Sequence, residues 1–228
     1  MNVASAYYGL HGTLSLIQNL KVYAKIYGVK KPVEKSLELL KTFGLIHMKD
    51  KRAEVLSSGE RPRLSLCKGL INDPKLLLLD EATVGLDPDV AVHTRQILRD
   101  YHKESNCSVL FTSHYMAEVE QLCNRIGFIH DGKIVKIDSA KRLKNLIKTQ
   151  IVNMDFHKTS KRLFDYFNDQ DIQVISKNKN QVSFEIDSKG DRVYKIINSL
   201  FQRGFKIKHL DLKRPTLDDI FIKIAGKK

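Results

Sequence analysis

The sequence has no tryptophan, only three cysteines and five prolines, and no long apolar run. Cys67, Cys107 and Cys123 form no metal-ligand spacing, and an odd number makes no closed disulfide set. A reducing cytoplasm is the compartment such cysteine usage fits. The longest strongly apolar stretch, Leu76-Leu77-Leu78-Leu79, is far short of the roughly 20 residues that a bilayer-spanning helix needs. The opening MNVASAYYGL lacks the basic end and apolar stretch of a secretion signal. No internal repeat is visible, which removes solenoids and propellers, and no collagen-like or low-complexity run appears.

What is present is a globular composition: 228 residues and 26.2 kDa, with 42% hydrophobic and 29% charged residues. That is enough for one large domain, or a domain with a small appendage. The net charge of +13 is uneven. Residues 1–138 carry 19 basic and 16 acidic side chains, whereas residues 139–228 carry 20 and 10. A basic module can meet nucleic acid or the anionic cytoplasmic leaflet of a membrane, or its lysines can simply keep a small domain soluble. The lysines are scattered along the sequence rather than blocked, so the solvated reading is the expectation.

From Asn19 to about Phe43, apolar residues recur at helical spacing, and Gly28 and Pro32 divide them into two helices. A further helix is predicted from Glu60 to Ile71, stopped by Asn72-Asp73-Pro74. Lys75 to Leu79 reads as a strand buried on both faces, the habit of a parallel sheet, and Ser108 to Phe111 as a second buried strand. Helices are predicted at Val90–Tyr101 and Met116–Cys123. Ile126–His130 and Lys133–Ile137 flank Asp131-Gly132, a hairpin signal. Strand and helix alternate up to Asp138, which argues for an α/β domain.

After Asp138 the rhythm changes. Val152, Met154 and Phe156 alternate, as do Val182, Phe184 and Ile186, then Phe205 and Ile207. Helical stretches are predicted at Thr159–Asn168 and Lys189–Arg203, and Ile172–Ser176 completes a β-α-β-β-α-β order. That is the split βαβ pattern of a ferredoxin-like module. The expected division is a core over 1–138, a connector over 139–150 and an accessory module over 151–228.

The apolar run Leu76–Leu79 ends in Asp80 and Glu81. A strand of this kind delivers both carboxylates to the carboxyl edge of a sheet, where ligands of open α/β folds bind. The first suits Mg²⁺, which takes few protein ligands and keeps its waters. The second, one residue on, can orient or deprotonate a water beside a phosphate. Upstream, Leu56-Ser57-Ser58-Gly59-Glu60 is a small-residue turn opening a helix, either a phosphate seat or an ordinary N-cap. Downstream, Gly85-Leu86-Asp87-Pro88 follows at short range, and Thr112-Ser113-His114 ends the next strand.

The runs LSSGE, LLLLDEAT, GLDP and TSHYM, in this order and spacing, resemble the nucleotide-binding subunits of ATP-binding cassette (ABC) transporters. The resemblance covers essentially the whole chain. It implies that Leu56, Ser57, Ser58, Gly59 and Glu60 form the signature motif, whose Ser57 and Gly59 face the nucleotide of the opposite subunit. It makes Asp80 the Walker B aspartate at Mg²⁺, Glu81 the general base, Gly85, Leu86 and Asp87 the D-loop, and His114 the switch histidine. The tail Arg214-Pro215-Thr216-Leu217-Asp218-Asp219-Ile220-Phe221 resembles the end of the C-terminal extension found in the exporter branch with ABC-2-type membrane partners.

The fold so implied is α/β, a P-loop NTPase-like ABC ATPase core with a small α+β ferredoxin-like module. ATP and Mg²⁺ are the implied cofactors. A second nucleotide-binding subunit and an ABC-2-type permease are the implied partners, at the inner face of the cell membrane, with no nucleic acid.

The departures from the family pattern are specific. Ser58 replaces a glycine, Ala82 stands where many members carry proline, and Pro62 falls in the first turn of its helix, where a missing N–H is harmless. No G-x-x-x-x-G-K-[S/T] exists, since Gly132-Lys133 sits in a hairpin and Gly226-Lys227 in the terminal tail. Residues Val3 to Ser15 occupy the Q-loop segment without a glutamine, and Gln18-Asn19-Leu20 begins the helical subdomain. The core is therefore expected to be incomplete at its amino end. The Walker B strand should lose a ladder partner and expose an apolar edge and face, making the chain poorly stable alone.

Three sources of the missing arm follow: a start farther upstream, a remnant gene, or a second chain that supplies it. The functions weighed are an exporter ATPase subunit and a non-catalytic half-site that pairs with a complete subunit. A nucleic-acid-linked ATPase is disfavoured by the single cassette and by the lack of aromatics among the lysines.

Overall fold

The structure is a computed structural model that describes residues 1–5, 9–187 and 191–225. Gly226-Lys227, part of the Q-loop segment and Lys189 lie outside the described residues. The chain divides into two compact units, Met1–Cys123 and Asn124–Lys228.

In the first unit the helical subdomain forms as the spacing predicts, with α1 at Leu16–Ile26 and α2 at Pro32–Thr42. Ser15 caps α1 in a reciprocal box: Gln18 N donates to Ser15 Oγ (3.3 Å) while Ser15 N donates to Gln18 Oε1 (2.8 Å). Gly28, at φ +68°, ends that helix, and Pro32 opens the next at its first position. Their buried stripes, Leu16, Leu20 and Ala24 with Leu39, Leu40 and Phe43, close over Leu64, Cys67 and Leu70 of α3 (Glu60–Leu70).

The sheet of this unit has three parallel strands in the order β1 (Asn2–Ser5), β2 (Leu76–Asp80), β3 (Ser108–Thr112). Ala4, Leu77 and Leu79 are buried on the face that meets α3. There the helix lies so close that a Cβ on Gly69 would stand 3.0 Å from Ala4 Cβ. On the other face Val3, Leu78 and Leu110 line up across the strands, with Val3 46% and Leu110 60% exposed.

These facts correct three expectations. The strand ending in Asp80 is buried on one face rather than two, and β3 is largely exposed rather than buried. The Walker B strand has not lost a ladder partner, because β1 pairs with it on one side and β3 on the other. Among the described residues the open edges are those of β1 and β3.

The remaining elements here are α4 (Pro88–Ser105) and α5 (Met116–Leu122). The longer α4 begins at Pro88, two residues before the apolar periodicity, because Asp87 takes an extended N-cap conformation and proline suits the first helical position. It ends at Asn106, in the left-handed region at φ +52°.

The second unit opens with the hairpin β4 (Ile126–His130) and β5 (Lys133–Asp138), turning on Asp131 and Gly132, both at positive φ as a two-residue hairpin demands. The short α6 (Ala140–Lys144) follows. Next come β6 (Thr149–Phe156), α7 (Lys161–Asp169), β7 (Val174–Asn178), β8 (Gln181–Asp187), α8 (Arg192–Gln202) and β9 (Ile207–Lys213). Their antiparallel sheet runs β7-β8-β6-β9, the ferredoxin-like order. Val152, Met154 and Phe156 with Val182, Phe184 and Ile186 face Leu163, Phe167, Ile196 and Leu200 of the two helices. The last helix, α9 (Leu217–Ala225), is capped by Thr216 and Asp219: Asp219 N donates to Thr216 Oγ1 (3.2 Å) and Thr216 N to Asp219 Oδ2 (2.8 Å). The Pro-Thr-Leu-Asp-Asp tail thus carries a helix-start device.

Candidate functional site

The carboxyl edge of the three-stranded sheet gathers four of the sequence's chemical residues. Asp80 ends β2 and Thr112 ends β3, and these two positions are in register. The Thr112 hydroxyl donates to Asp80 Oδ1 at 2.7 Å, which orients an exposed carboxylate. One residue on, the Glu81 backbone N–H donates to the Thr112 carbonyl (3.1 Å), extending the ladder past the strand end. Glu81 itself sits at φ +50°, a conformation that costs a non-glycine residue about 1 kcal/mol or more. The kink turns its side chain toward His114, whose Nδ1 lies 2.9 Å from Glu81 Oε1. The second oxygen, Oε2, is buried without a hydrogen-bond partner. A carboxylate held by an imidazole beside an oriented aspartate has the chemistry to accept a proton from a water that bridges to a phosphate.

The loop leaving Glu81 is tied down by a network that the sequence reading missed. Buried Thr83 donates to Glu118 Oε2 (2.6 Å), and Arg95 NH1 donates to Glu118 Oε1 (2.7 Å). The Arg95 and Glu118 side chains are each only 12% exposed. Glu118 is on α5, which starts two residues after His114, so one carboxylate braces the loop behind Glu81 and the helix behind His114 together. No local motif marks this set, because its three members are far apart in sequence.

A second cluster holds the remaining predicted residues. Ser57 and Glu60 form a capping box: Glu60 N donates to Ser57 Oγ (3.2 Å), and Ser57 N to Glu60 Oε2 (2.8 Å). That backbone hydrogen bond lowers the Glu60 pKa below its ordinary value. Leu56 is buried, Ser57 and Ser58 are exposed, and Pro62 is buried in the first turn of α3. The turn packs on the Gly85 loop: a Cβ on Gly59 would be 3.3 Å from the Gly85 carbonyl, and one on Gly85 would be 3.4 Å from the Ser58 carbonyl. Gly85 is favoured by its φ of +80°, and Gly59 by a tight approach to the Gly85 carbonyl, with Leu86 against Gly59. Asp87 is exposed at the N-cap of α4, and its side chain makes no cap hydrogen bond. The structure brings Asp80, Glu81, Thr112 and His114 into one group, and Ser57, Ser58, Gly59 and Glu60 with Gly85 and Leu86 into another.

For Mg²⁺, the residues fit. Asp80 is exposed and oriented by the Thr112 hydroxyl, and Glu81 stands one residue on at the same sheet edge. That is the donor set of an ion held by one or two carboxylates and otherwise by water and phosphate. For the triphosphate the fit is partial: the chain has no glycine-rich loop with its lysine to neutralise phosphate charge.

Comparison with known proteins follows the same division. Residues 6–84 match the family described as ABC transporter. Residues 139–225 match the C-terminal domain of DrrA1-3-like ATP-binding proteins. Both matched segments are similar to ABC transporter ATP-binding proteins. Similar relatives include the bacitracin transport ATP-binding protein BcrA of Bacillus licheniformis, 29% identical over 96% of this chain and 70% of that protein. The lantibiotic transport ATP-binding protein SrtF of Streptococcus pyogenes is 36% identical over 63% of this chain and 62% of that protein. Among solved structures, the dimeric ATP-binding cassette MJ0796 in a post-hydrolysis state with ADP and Pi has a TM-score of 0.55. It is 20% identical and covers 60% of this chain and 62% of that one, a likeness of fold. This ABC protein is an α/β ATPase core with a ferredoxin-like module.

Proposed function

We propose that this ABC protein is the ATP-binding subunit of an exporter, working as one of two such subunits beneath an ABC-2-type permease at the inner face of the membrane. The ATPase core is read as 1–138, the connector as 139–150 and the accessory module as 151–228; the C-terminal family match starting at residue 139 supports the boundary at 138, whereas the compact units divide at Cys123. No helix among the described residues is long and apolar enough to cross a membrane. The exporters named among the relatives support a drug or peptide-antibiotic class of cargo.

The observation that carries the reading is the Glu81–His114 pair at 2.9 Å, set at the end of the strand that presents Asp80. Mg-ATP, when bound, supplies the phosphoanhydride to be cleaved. Asp80, held by the Thr112 hydroxyl, orients the metal's water shell. Glu81 would take the proton from the attacking water, and His114 keeps its carboxylate aimed. Ser57 and Gly59 offer a hydroxyl and a positive helix end to the nucleotide of the opposing subunit.

Without a phosphate cradle in the chain, residues 1–228 alone are expected to hold ATP weakly. Titration calorimetry with Mg-ATP tests this, and micromolar affinity would overturn it. A second reading, a half-site lent to a complete subunit, is favoured by the finished state of the signature turn, which forms without any cradle. Loss of a co-purifying partner's ATPase on Ser57→Ala would support it, and unchanged turnover would exclude it.

A further inference from the structure

The excess positive charge of the second unit, dispersed in sequence, converges in space. In the ferredoxin-like topology, the turn after β6, the β7–β8 hairpin and the turn after α8 lie at one end of the sheet. Hydrogen bonds knit the three: Thr159 Oγ1 donates to the Lys179 carbonyl (2.6 Å), Asn180 Nδ2 to the His157 carbonyl (3.3 Å) and His157 N to the Lys206 carbonyl (3.1 Å). The first turn brings Lys158, Lys161 and Arg162, and the hairpin brings Lys177 and Lys179. The third segment brings Arg203, Lys206 and Lys208. All eight are exposed.

No Asp or Glu occurs in 156–164, 172–184 or 203–210, and Asp165 follows one turn into α7. None of the eight enters an ion pair among the described residues. Lys177 lies over the Phe164 ring (5.2 Å) and Arg203 over Tyr166 (4.9 Å), which leaves their charges unneutralised. Asp169, Asp171, Asp187 and Asp191 fall at the opposite end of the module.

Such an arrangement opposes folding. Lys161 and Arg162 occupy the first turn of α7, where the helix dipole is already positive, and Ser160 makes no side-chain cap there. Like charges gathered around a positive helix end are stabilised by an anionic partner. Six of the eight are lysines, compact charges that suit a diffuse anionic surface better than a bidentate one. Of the aromatic rings nearby, Phe156, Tyr166 and Phe167 are buried, Phe164 and Phe205 are half-buried and Phe201 alone is exposed, so the described residues offer one open ring rather than a row on which successive unpaired bases would stack.

We propose that this pole of the accessory module docks on the acidic phospholipid headgroups of a membrane surface. Four to eight cations near such a surface each contribute about 1 kcal/mol, falling off within a Debye length. The surface is a membrane contact of the second unit, in a protein read as an exporter subunit.

The test uses the full chain with extruded vesicles, either neutral phosphatidylcholine or phosphatidylcholine with about 30% phosphatidylglycerol, the acidic lipid range in which basic clusters bind. Sedimentation is expected with the acidic vesicles alone and to fade as salt rises. Replacing Lys158, Lys161 and Lys206 with glutamine is expected to lower the partition coefficient about a hundredfold. Removing charge at Lys161 favours α7, so lost binding would not be lost folding. The same change at Lys25, Lys30 and Lys49, exposed in the first unit, should leave binding intact. Equal sedimentation with neutral vesicles, or a pole variant that binds as well as the parent, would overturn the proposal. So would duplex DNA or RNA that binds the parent more tightly than acidic vesicles do and loses that binding in the pole variant.

Discussion

Glu81 shows how one residue's backbone decides its chemistry. Its positive φ ends the strand and swings the carboxylate onto His114, with one oxygen paired and the other bare. In a complete transporter, Glu81→Gln keeps the shape and removes the base; ATP turnover is expected to fall by about 10²–10⁴ while nucleotide binding persists, measured by phosphate release and filter binding. Glu60 offers a pH readout. Its folded pKa is depressed by the Ser57 backbone hydrogen bond, so the stability it adds at the start of α3 is present above the unfolded pKa. That contribution is lost as pH falls through the lower folded value. A carbon-13 titration of the Glu60 carboxyl should show a midpoint below that of an ordinary glutamate, and Ser57→Ala, which keeps the backbone N–H, should leave most of that depression in place.

At the scale of elements, two joints hold the site in place. One is the Thr83–Glu118–Arg95 network between the loop behind Glu81 and the helix behind His114. Removing the carboxylate with Glu118→Ala leaves Arg95 nearly buried and unpaired, so denaturant unfolding should show a loss of about 3–5 kcal/mol. Thr83→Val removes one neutral donor and should cost less, about 1–2 kcal/mol. The other joint is α3 on the sheet, where Gly69 admits the helix against Ala4 and Leu77. Gly69→Ala sets a methyl 3.0 Å from Ala4 Cβ and 3.3 Å from Leu77 Cδ1, and overpacking of about 1–3 kcal/mol should outweigh the gain in helix propensity. The positions of α1, α2 and α3 were legible from apolar spacing together with Ser15, Gly28 and Pro32. Neither joint was, because Arg95, Thr83 and Gly69 meet Glu118, Glu118 and Ala4 across 23, 35 and 65 residues and no local pattern announces them.

At the scale of the molecule, the open face of the first sheet dominates behaviour in solution. Val3, Leu78 and Leu110 form an apolar row beside the unpaired edge of β3, a template for association. Sedimentation velocity should show self-association rising with protein concentration. Leu110→Lys, a charge on the open edge strand, is expected to suppress it without loss of helical content. An association unchanged by Leu110→Lys would place the contact elsewhere.

The amino-acid sequence by itself determined the family, the order of elements and the identity of the carboxylates, because these reside in local spacing: apolar runs ending in Asp80-Glu81, caps, turns and the switch from helical to alternating periodicity. Only the tertiary structure decided that the Walker B strand is central rather than orphaned, that β3 is largely exposed rather than buried, and that Thr112 and the Glu118 network orient the site. It also decided that lysines dispersed along residues 158–208 share one pole. The physical reason is common to all four: each depends on which distant segments are brought side by side. Strand pairing and packing set that, and spacing along the chain does not encode it.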